Sequence, residues 1–141
     1  YSLAKATLTF GLQFPDFVPG NQPYLDAKDL FHPLLKTPTP YNLVMQPDSN
    51  FIFLTGANMA GKSTFIKAVG IAVYLAHAGM AVPAQVMRLS LFDGLLSNIQ
   101  VADNIVRGES YFFNEVQRIK NTLTRISDGR KWLVLIDELF K

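Results

Sequence analysis

The chain has 141 residues, of which 49% are hydrophobic and 17% are charged. This length and composition suit one globular domain with a buried core and exclude a disordered chain. The net charge of +2 supports no nucleic-acid interface argued from charge alone, and the absence of cysteine excludes a disulfide framework and a thiolate metal site.

The expected location follows from the apolar runs. The longest run of low charge, residues 68–82, is interrupted by Gly70, His77 and Gly79 and is shorter than the roughly 18 to 20 apolar residues of a membrane-spanning helix. No charged segment opens the sequence as it would in a signal peptide. We therefore expect a cytoplasmic protein that does not enter a membrane.

Two strands are predicted in the first half of the chain. Residues 24–30 are compatible with a strand, and residues 36–42 form an extended loop fixed by prolines. A turn cluster at 46–50 leads into Phe51–Leu54, a run that is apolar on both faces. Such a run is typical of a central parallel strand that is buried on both sides.

The segment after Phe51–Leu54 matches the phosphate-binding pattern G-x-x-x-x-G-K-[ST]. Glycines let backbone N–H groups close around a phosphate, and Lys62 can reach the β- and γ-phosphates. Ser63 offers a hydroxyl to Mg²⁺, and a helix starting at about this residue adds the positive end of its dipole. A preceding strand and a following helix favour this reading over a chance match. The predicted nucleotide-binding residues are Gly56, Ala57, Asn58, Met59, Ala60, Gly61, Lys62, Ser63 and Thr64.

Two helices are predicted after this loop. Apolar residues in the range 65–75 cover nearly every face of the first helix, which predicts burial all round, and Gly79 is expected just past its end. The second helix has Ser110 as its N-cap, an apolar spacing of three and four residues, and an end at about Ile126.

Three further strands are predicted in the second half. Val86–Phe92 alternates, Asp93-Gly94 is a turn dipeptide, and Leu95–Ile99 can return beside it, which predicts a β-hairpin. Trp132–Ile136 is fully apolar, which predicts a second buried strand.

Two carboxylates follow the last of these strands, in a Walker B pattern. Asp137 is expected to hold Mg²⁺ opposite Ser63, although a carboxylate at a strand end can also be a solvated cap. Glu138 stands in the next position, where it can polarise an attacking water as a general base. The alternative for Glu138 is a surface carboxylate without a role in chemistry.

The loop Thr55–Thr64 resembles that of the MutS family of DNA mismatch repair ATPases, which is similarly T-G-x-N-M-x-G-K-S-T. The pair Asn58-Met59 makes this resemblance more specific than a general phosphate-loop match. Further similar segments follow the family's order along the chain: His32-Pro33-Leu34, Val82-Pro83-Ala84, Ala102-Asp103-Asn104, Gly108-Glu109-Ser110-Tyr111-Phe112 and Asp137-Glu138.

The resemblance implies an α/β fold, namely an ABC-type P-loop NTPase with a mixed, largely parallel sheet flanked by helices and truncated after Walker B. It divides the chain into residues 1–30, a segment arriving from a preceding helical domain, and residues 31–141, the N-terminal part of a MutS-like ATPase domain. The segment around Ser110 resembles the family's signature, whose serine approaches the γ-phosphate of the partner's nucleotide. Pro40 and Tyr41 stand where the family packs apolar side chains on adenine.

The implied function is ATP binding and hydrolysis with Mg²⁺, in a homodimer or MutS-like heterodimer whose closure is coupled to the binding of mismatched double-stranded DNA through regions outside this chain. Lys62, Ser110 and Glu138 would act in catalysis, and Ser63 and Asp137 would hold the metal. The chain by itself is expected to be inactive. Two alternatives stay open: another ABC-type DNA repair or chromosome-associated ATPase, and a nucleotide-binding switch without useful turnover.

Overall fold

The computed structural model describes residues 2–57, 59–99 and 111–137, which belong to two compact units. The first unit runs to Leu91, and the second begins at Phe92. In chain order, the first unit contains α1 (Ser2–Phe10), β1 (Asp16–Phe17), β2 (Leu25–Leu30), β3 (Tyr41–Met45), α2 (Lys62–His77) and β4 (Val86–Leu89). The second contains β5 (Gly94–Asn98), α3 (Tyr111–Ile126) and β6 (Trp132–Ile136).

A mixed sheet of four strands, in the order β1-β4-β2-β3, forms the centre of the first unit. β2 runs antiparallel to both β3 and β4, while β1 runs parallel to β4. Leu25, Ala27 and Leu30 of β2 are each only 1% exposed, and they line the core face of the sheet. The predicted strand at residues 24–30 is therefore confirmed.

A bulge in β2 explains how three residues spaced by two and then by three share one face. The register between β2 and β3 shifts between Ala27 and Leu30, and Asp29 within this stretch has a φ of 49°. The Asp29 N–H donates to the Asn42 side-chain oxygen at 2.9 Å, which satisfies a backbone group that leaves the ladder. The strand β3 was missed by sequence reasoning, which placed its first residues in a proline-rich loop.

The predicted helix after the glycine-rich loop is α2, and the structure confirms it. Its buried residues are Ile66, Ala68, Val69, Ala72, Val73 and Ala76, whereas Tyr74 is 66% exposed. The prediction of burial all round is therefore wrong. Apolar composition sets a preference for burial, but the described residues cover only one face of this helix.

The end of α2 was predicted correctly at Gly79. This glycine has a φ of 72°, its N–H donates to Ala76 O at 3.0 Å, and the Met80 N–H donates to Leu75 O at 3.0 Å. These two bonds form a Schellman motif, which requires the left-handed conformation that glycine adopts at little cost.

A parallel strand pair and one helix make up the second unit. β5 and β6 pair in register from Gly94↔Trp132 to Asn98↔Ile136, so the predicted strand at Trp132–Ile136 is confirmed. The Trp132 ring lies directly against Gly94, where an added Cβ would come within 2.0 Å of the ring atom Cζ3. Glycine is therefore needed for this close approach of ring and backbone.

The predicted helix near residues 110–126 is confirmed as α3, but it buries polar side chains. Glu115 and Thr122, seven residues apart on one face, are 5% and 8% exposed. The Thr122 hydroxyl accepts from the Asn98 side-chain amide at 3.0 Å and donates to Arg118 O at 3.0 Å. This pairing satisfies the buried hydroxyl, as burial requires.

The prediction of an ABC-type P-loop NTPase fold is wrong for this structure. Phe51–Leu54, the expected central strand, forms no ladder with any described residue, and Phe51 and Phe53 are 80% and 78% exposed. β6 pairs with β5 in a separate two-stranded sheet, and two of the three pairings in the larger sheet are antiparallel. The structure is instead a small α/β chain with a mixed sheet.

The predicted hairpin between Val86–Phe92 and Leu95–Ile99 is also wrong. β4 pairs with β1 and β2, so its two hydrogen-bonding edges are both occupied. Asp93, expected in the turn, exchanges hydrogen bonds with Lys131: its N–H donates to Lys131 O at 2.7 Å, and its carboxylate accepts from the Lys131 N–H at 2.8 Å. These bonds start the pairing of β5 with β6.

Candidate functional site

The glycine-rich loop of the first unit ends at the N-terminus of α2, as predicted. Gly61 is the N-cap residue and has a φ of 91° and a ψ of 10°, a left-handed conformation that favours glycine. Within the loop, the Ala60 N–H donates to Ala57 O at 3.2 Å, which tightens the chain before the helix. The first intrahelical bond follows, from the Phe65 N–H to Gly61 O at 2.9 Å.

Lys62 crosses this loop from its C-terminal end to its first glycine. Its ammonium donates to Gly56 O at 2.6 Å and to Ala57 O at 2.8 Å. An ammonium group has three N–H donors, so one donor remains for a further acceptor. The two carbonyls therefore fix a positive charge at the loop and leave it able to bind an anion.

The N-terminus of α2 adds to the positive character of this loop. No acidic residue lies in its first turn, and its N-cap residue, Gly61, has no side chain that could cap the helix. The first N–H groups of a helix lack intrahelical partners and carry the positive end of the dipole. Ser63 and Thr64, both half-buried, stand in this turn, where a phosphate or a hydrated metal ion can meet them.

Tyr41, from the start of β3, lies against the loop. Its ring meets the Phe65 ring edge-on, with centroids 5.2 Å apart and an interplanar angle of 74°. Its hydroxyl oxygen is 3.2 Å from the position that a Cβ on Gly61 would take. The structure thus brings Tyr41 to the predicted phosphate loop, and it adds Phe65, which sequence reasoning assigned only to the helix core.

The remaining described nucleotide-loop residues are exposed. Ala57, Met59 and Ala60 all present their side chains to solvent, and Met59 has a φ of 67°. Pro40, predicted with Tyr41 beside adenine, is exposed as well. The loop surface is therefore open to a ligand.

Asp137 follows β6 in the second unit. It is half-buried, and its N–H donates to Asn98 O at 3.2 Å, which extends the β5–β6 ladder by one bond. The carboxylate thus stands at the C-terminal end of a parallel strand, where open α/β sheets bind ligands. Its joint role with Ser63 stays a prediction.

Three predicted site residues, Asn58, Ser110 and Glu138, lie outside the described residues, and their roles stay predictions. Among residues 2–57, 59–99 and 111–137, no group of three or more His, Asp or Glu side chains is arranged to hold a metal ion by itself.

The described groups include one carboxylate with a clearly shifted pKa, and it belongs to the second unit. The Trp132 indole N–H donates to Asp128 at 2.9 Å, and this bond, with one from the Arg130 N–H, lowers the pKa of Asp128. Asp128 is exposed, and its bonds to Trp132 and Arg130 order the turn before β6.

Comparisons with known proteins agree on one family. The model of MutS domain V matches residues 52–141, which contain the glycine-rich loop, α2, α3 and β6. The part of the chain that the structure describes contains no helix long and apolar enough to cross a membrane.

Similar proteins come from bacteria, yeast and an insect. The DNA mismatch repair protein MutS of Petrotoga mobilis is 33% identical over 142 residues, covering 98% of this chain and 17% of that protein. The DNA mismatch repair protein MSH3 of Candida glabrata is 34% identical over 146 residues, with 98% and 14% covered. The DNA mismatch repair protein spellchecker 1 of Drosophila melanogaster is 36% identical over 121 residues, with 82% and 13% covered.

The chain spans less than a fifth of the length of each of these relatives. Their resemblance extends over nearly the whole chain in two of the three cases, and the family model covers well over half of it. The chain therefore belongs to the MutS domain V family.

Proposed function

We propose that this chain binds ATP with Mg²⁺ and hydrolyses ATP as part of a MutS-like DNA mismatch repair protein. The observation that carries the proposal is the Lys62 ammonium, bonded to Gly56 O and Ala57 O at 2.6 and 2.8 Å at the start of α2. A fixed cation, a glycine-rich loop and a helix N-terminus with glycine as its N-cap residue together suit a polyphosphate better than a single carboxylate.

Each predicted site residue has a role in this proposal. The loop amides and Lys62 bind the β- and γ-phosphates, and Pro40 and Tyr41 pack against adenine. Ser63 and Asp137 would hold Mg²⁺, which supplies a positive charge that neutralises the phosphates during transfer. Glu138 orients the attacking water and accepts its proton.

A second subunit completes the proposed reaction. Ser110 would approach the γ-phosphate of a nucleotide bound to the partner, in a homodimer or a MutS-like heterodimer. Closure of this dimer on ATP would then be coupled to double-stranded DNA bound by other regions of the protein. The support for this step is the resemblance to proteins named as DNA mismatch repair proteins.

Replacing Lys62 tests the proposal at its central observation. We expect Lys62→Ala in the intact protein to weaken ATP binding by at least about tenfold, because hydrogen bonds from a charged donor to phosphate contribute roughly 1.5–3 kcal/mol each. Lys67→Ala is the matched control, since Lys67 is an exposed lysine of the same helix. Binding is measured by titration calorimetry at fixed salt.

ATP binding by Lys62→Ala at the parental affinity would overturn the nucleotide site. The turnover step is tested separately by measuring ATPase rate against protein concentration. A steep rise supports a composite site shared between two subunits. Binding without turnover at any concentration would replace hydrolysis by a nucleotide-binding switch.

A further inference from the structure

The Tyr41 hydroxyl lies at the phosphate end of the proposed site. Its oxygen is 3.2 Å from the position of a Cβ on Gly61, the residue that immediately precedes Lys62 and caps α2. In a nucleotide, the ribose and the α-phosphate separate adenine from the phosphates that such a loop holds. A group that touches Gly61 is therefore placed to meet the phosphate chain before it meets the base.

This hydroxyl has no hydrogen bond within the part of the chain that the structure describes. The side chain is half-buried, and a tyrosine hydroxyl in such a position usually finds a partner. The loop beside it also holds the Lys62 ammonium, which donates to Gly56 O and Ala57 O and keeps one donor for an anion. Among the described residues, this hydroxyl is therefore an O–H donor without an acceptor, beside the loop that is proposed to bind the phosphates.

The position of the hydroxyl is fixed by its neighbours on two elements. Tyr41 is held in the sheet by its register with Leu30 of β2, and its ring meets Phe65 of α2 at 5.2 Å in an edge-on contact. Such aromatic pairs contribute beyond the area they bury and favour one ring orientation. Phe65 therefore acts as a positioning residue for Tyr41.

We propose that the Tyr41 hydroxyl donates a hydrogen bond to the α-phosphate of the bound nucleotide. Tyr41 then contacts the phosphate chain as well as the base. This rests on the proposed nucleotide site and adds a recognition contact to it. The ring remains available to adenine, and the hydroxyl links base binding to the loop at Gly61.

Tyr41→Phe tests the proposal, because it keeps the ring and removes the hydroxyl. The variant is compared with Tyr74→Phe, which removes an exposed hydroxyl from α2. Binding of ATP, adenosine and inorganic triphosphate to the intact protein is measured by calorimetry or by displacement of a fluorescent nucleotide. We expect Tyr41→Phe to bind ATP and triphosphate about tenfold more weakly and adenosine unchanged, while Tyr74→Phe matches the parent.

Phe65→Leu tests whether the Phe65 ring positions the Tyr41 hydroxyl. We expect it to weaken triphosphate binding in the parent but to cause no further loss in Tyr41→Phe, because the contact it supports is already absent there. Unchanged triphosphate binding by Tyr41→Phe would overturn the proposal, as would a loss confined to adenosine. A parent that binds neither ATP nor triphosphate would overturn the nucleotide site itself, which distinguishes the two failures.

Discussion

Phe51–Leu54 and Trp132–Ile136 are similar in sequence and differ in structure. Both are uninterrupted apolar runs that precede residues expected in the site, and both were predicted to be buried parallel strands. Trp132–Ile136 is the strand β6, with Leu133 and Leu135 buried. Phe51–Leu54 has no ladder partner among the described residues, and its two phenylalanines are exposed.

The difference shows that an apolar run favours burial in a strand but does not determine which strand it pairs with. β6 has β5 beside it in register and Asp93 at its start to pair with Lys131. Those bonds satisfy the backbone groups that burial would otherwise leave without partners. The glycine-rich loop, in contrast, needs only contacts within a few residues, so it takes its shape without a strand before it.

Truncating one side chain in each run gives the largest expected contrast. Leu135→Ala should destabilise the β5–β6 pair by about 2–5 kcal/mol, because it leaves a cavity in a buried position. Phe53→Ala should change stability by no more than about 0.5 kcal/mol, because the ring is exposed. The stability of each run is measured by amide hydrogen exchange, because this method reports the local opening of each segment separately.

The same exchange experiment checks the parent protein in both runs. The amides of residues 133–136 should exchange at least about tenfold more slowly than those of residues 51–54. Equal protection in the two runs, or a greater loss from Phe53→Ala than from Leu135→Ala, would contradict the comparison.

Gly94→Ala tests the contact that places β5 beside β6. The added Cβ would meet the Trp132 ring at 2.0 Å, so the ring must move, at an expected cost of about 1–3 kcal/mol. Ser97→Ala, an exposed change in the same strand, is the control. If the contact is the cause, Trp132→Leu should remove most of the additional cost of Gly94→Ala in a double-mutant cycle.

The smallest expected effect concerns pH and Asp128. Its pKa is lowered by the Trp132 indole bond, so the charged form stabilises the folded state above the ordinary aspartate pKa of about 3.9, and this contribution is lost as pH falls through the lower folded-state value. Asp128→Asn keeps an acceptor for the indole and removes the charge. Its melting temperature should lie slightly below that of the parent at pH 7 and converge with it in acid; a constant gap would exclude the charge as the cause.

Sequence reasoning succeeded where neighbouring residues decide the structure. The left-handed turn at Gly79 and the helix that begins after Gly61 depend on contacts within about one helical turn. It failed at Asp93-Gly94, because a turn dipeptide between two strand-like runs suits a hairpin, and the edges of β4 were already taken by β1 and β2. Nothing in the local pattern distinguishes those outcomes.

The candidate site divides in the same way. The amino-acid sequence by itself determined the left-handed Gly61, the position of Lys62 after it and the start of α2, because glycine torsions and helix starts are local properties. Only the tertiary structure decided that Tyr41 and Phe65 stand against that loop and that Phe51–Leu54 does not pair. Those outcomes depend on strand register and on occupied sheet edges, which residues distant in the chain set together.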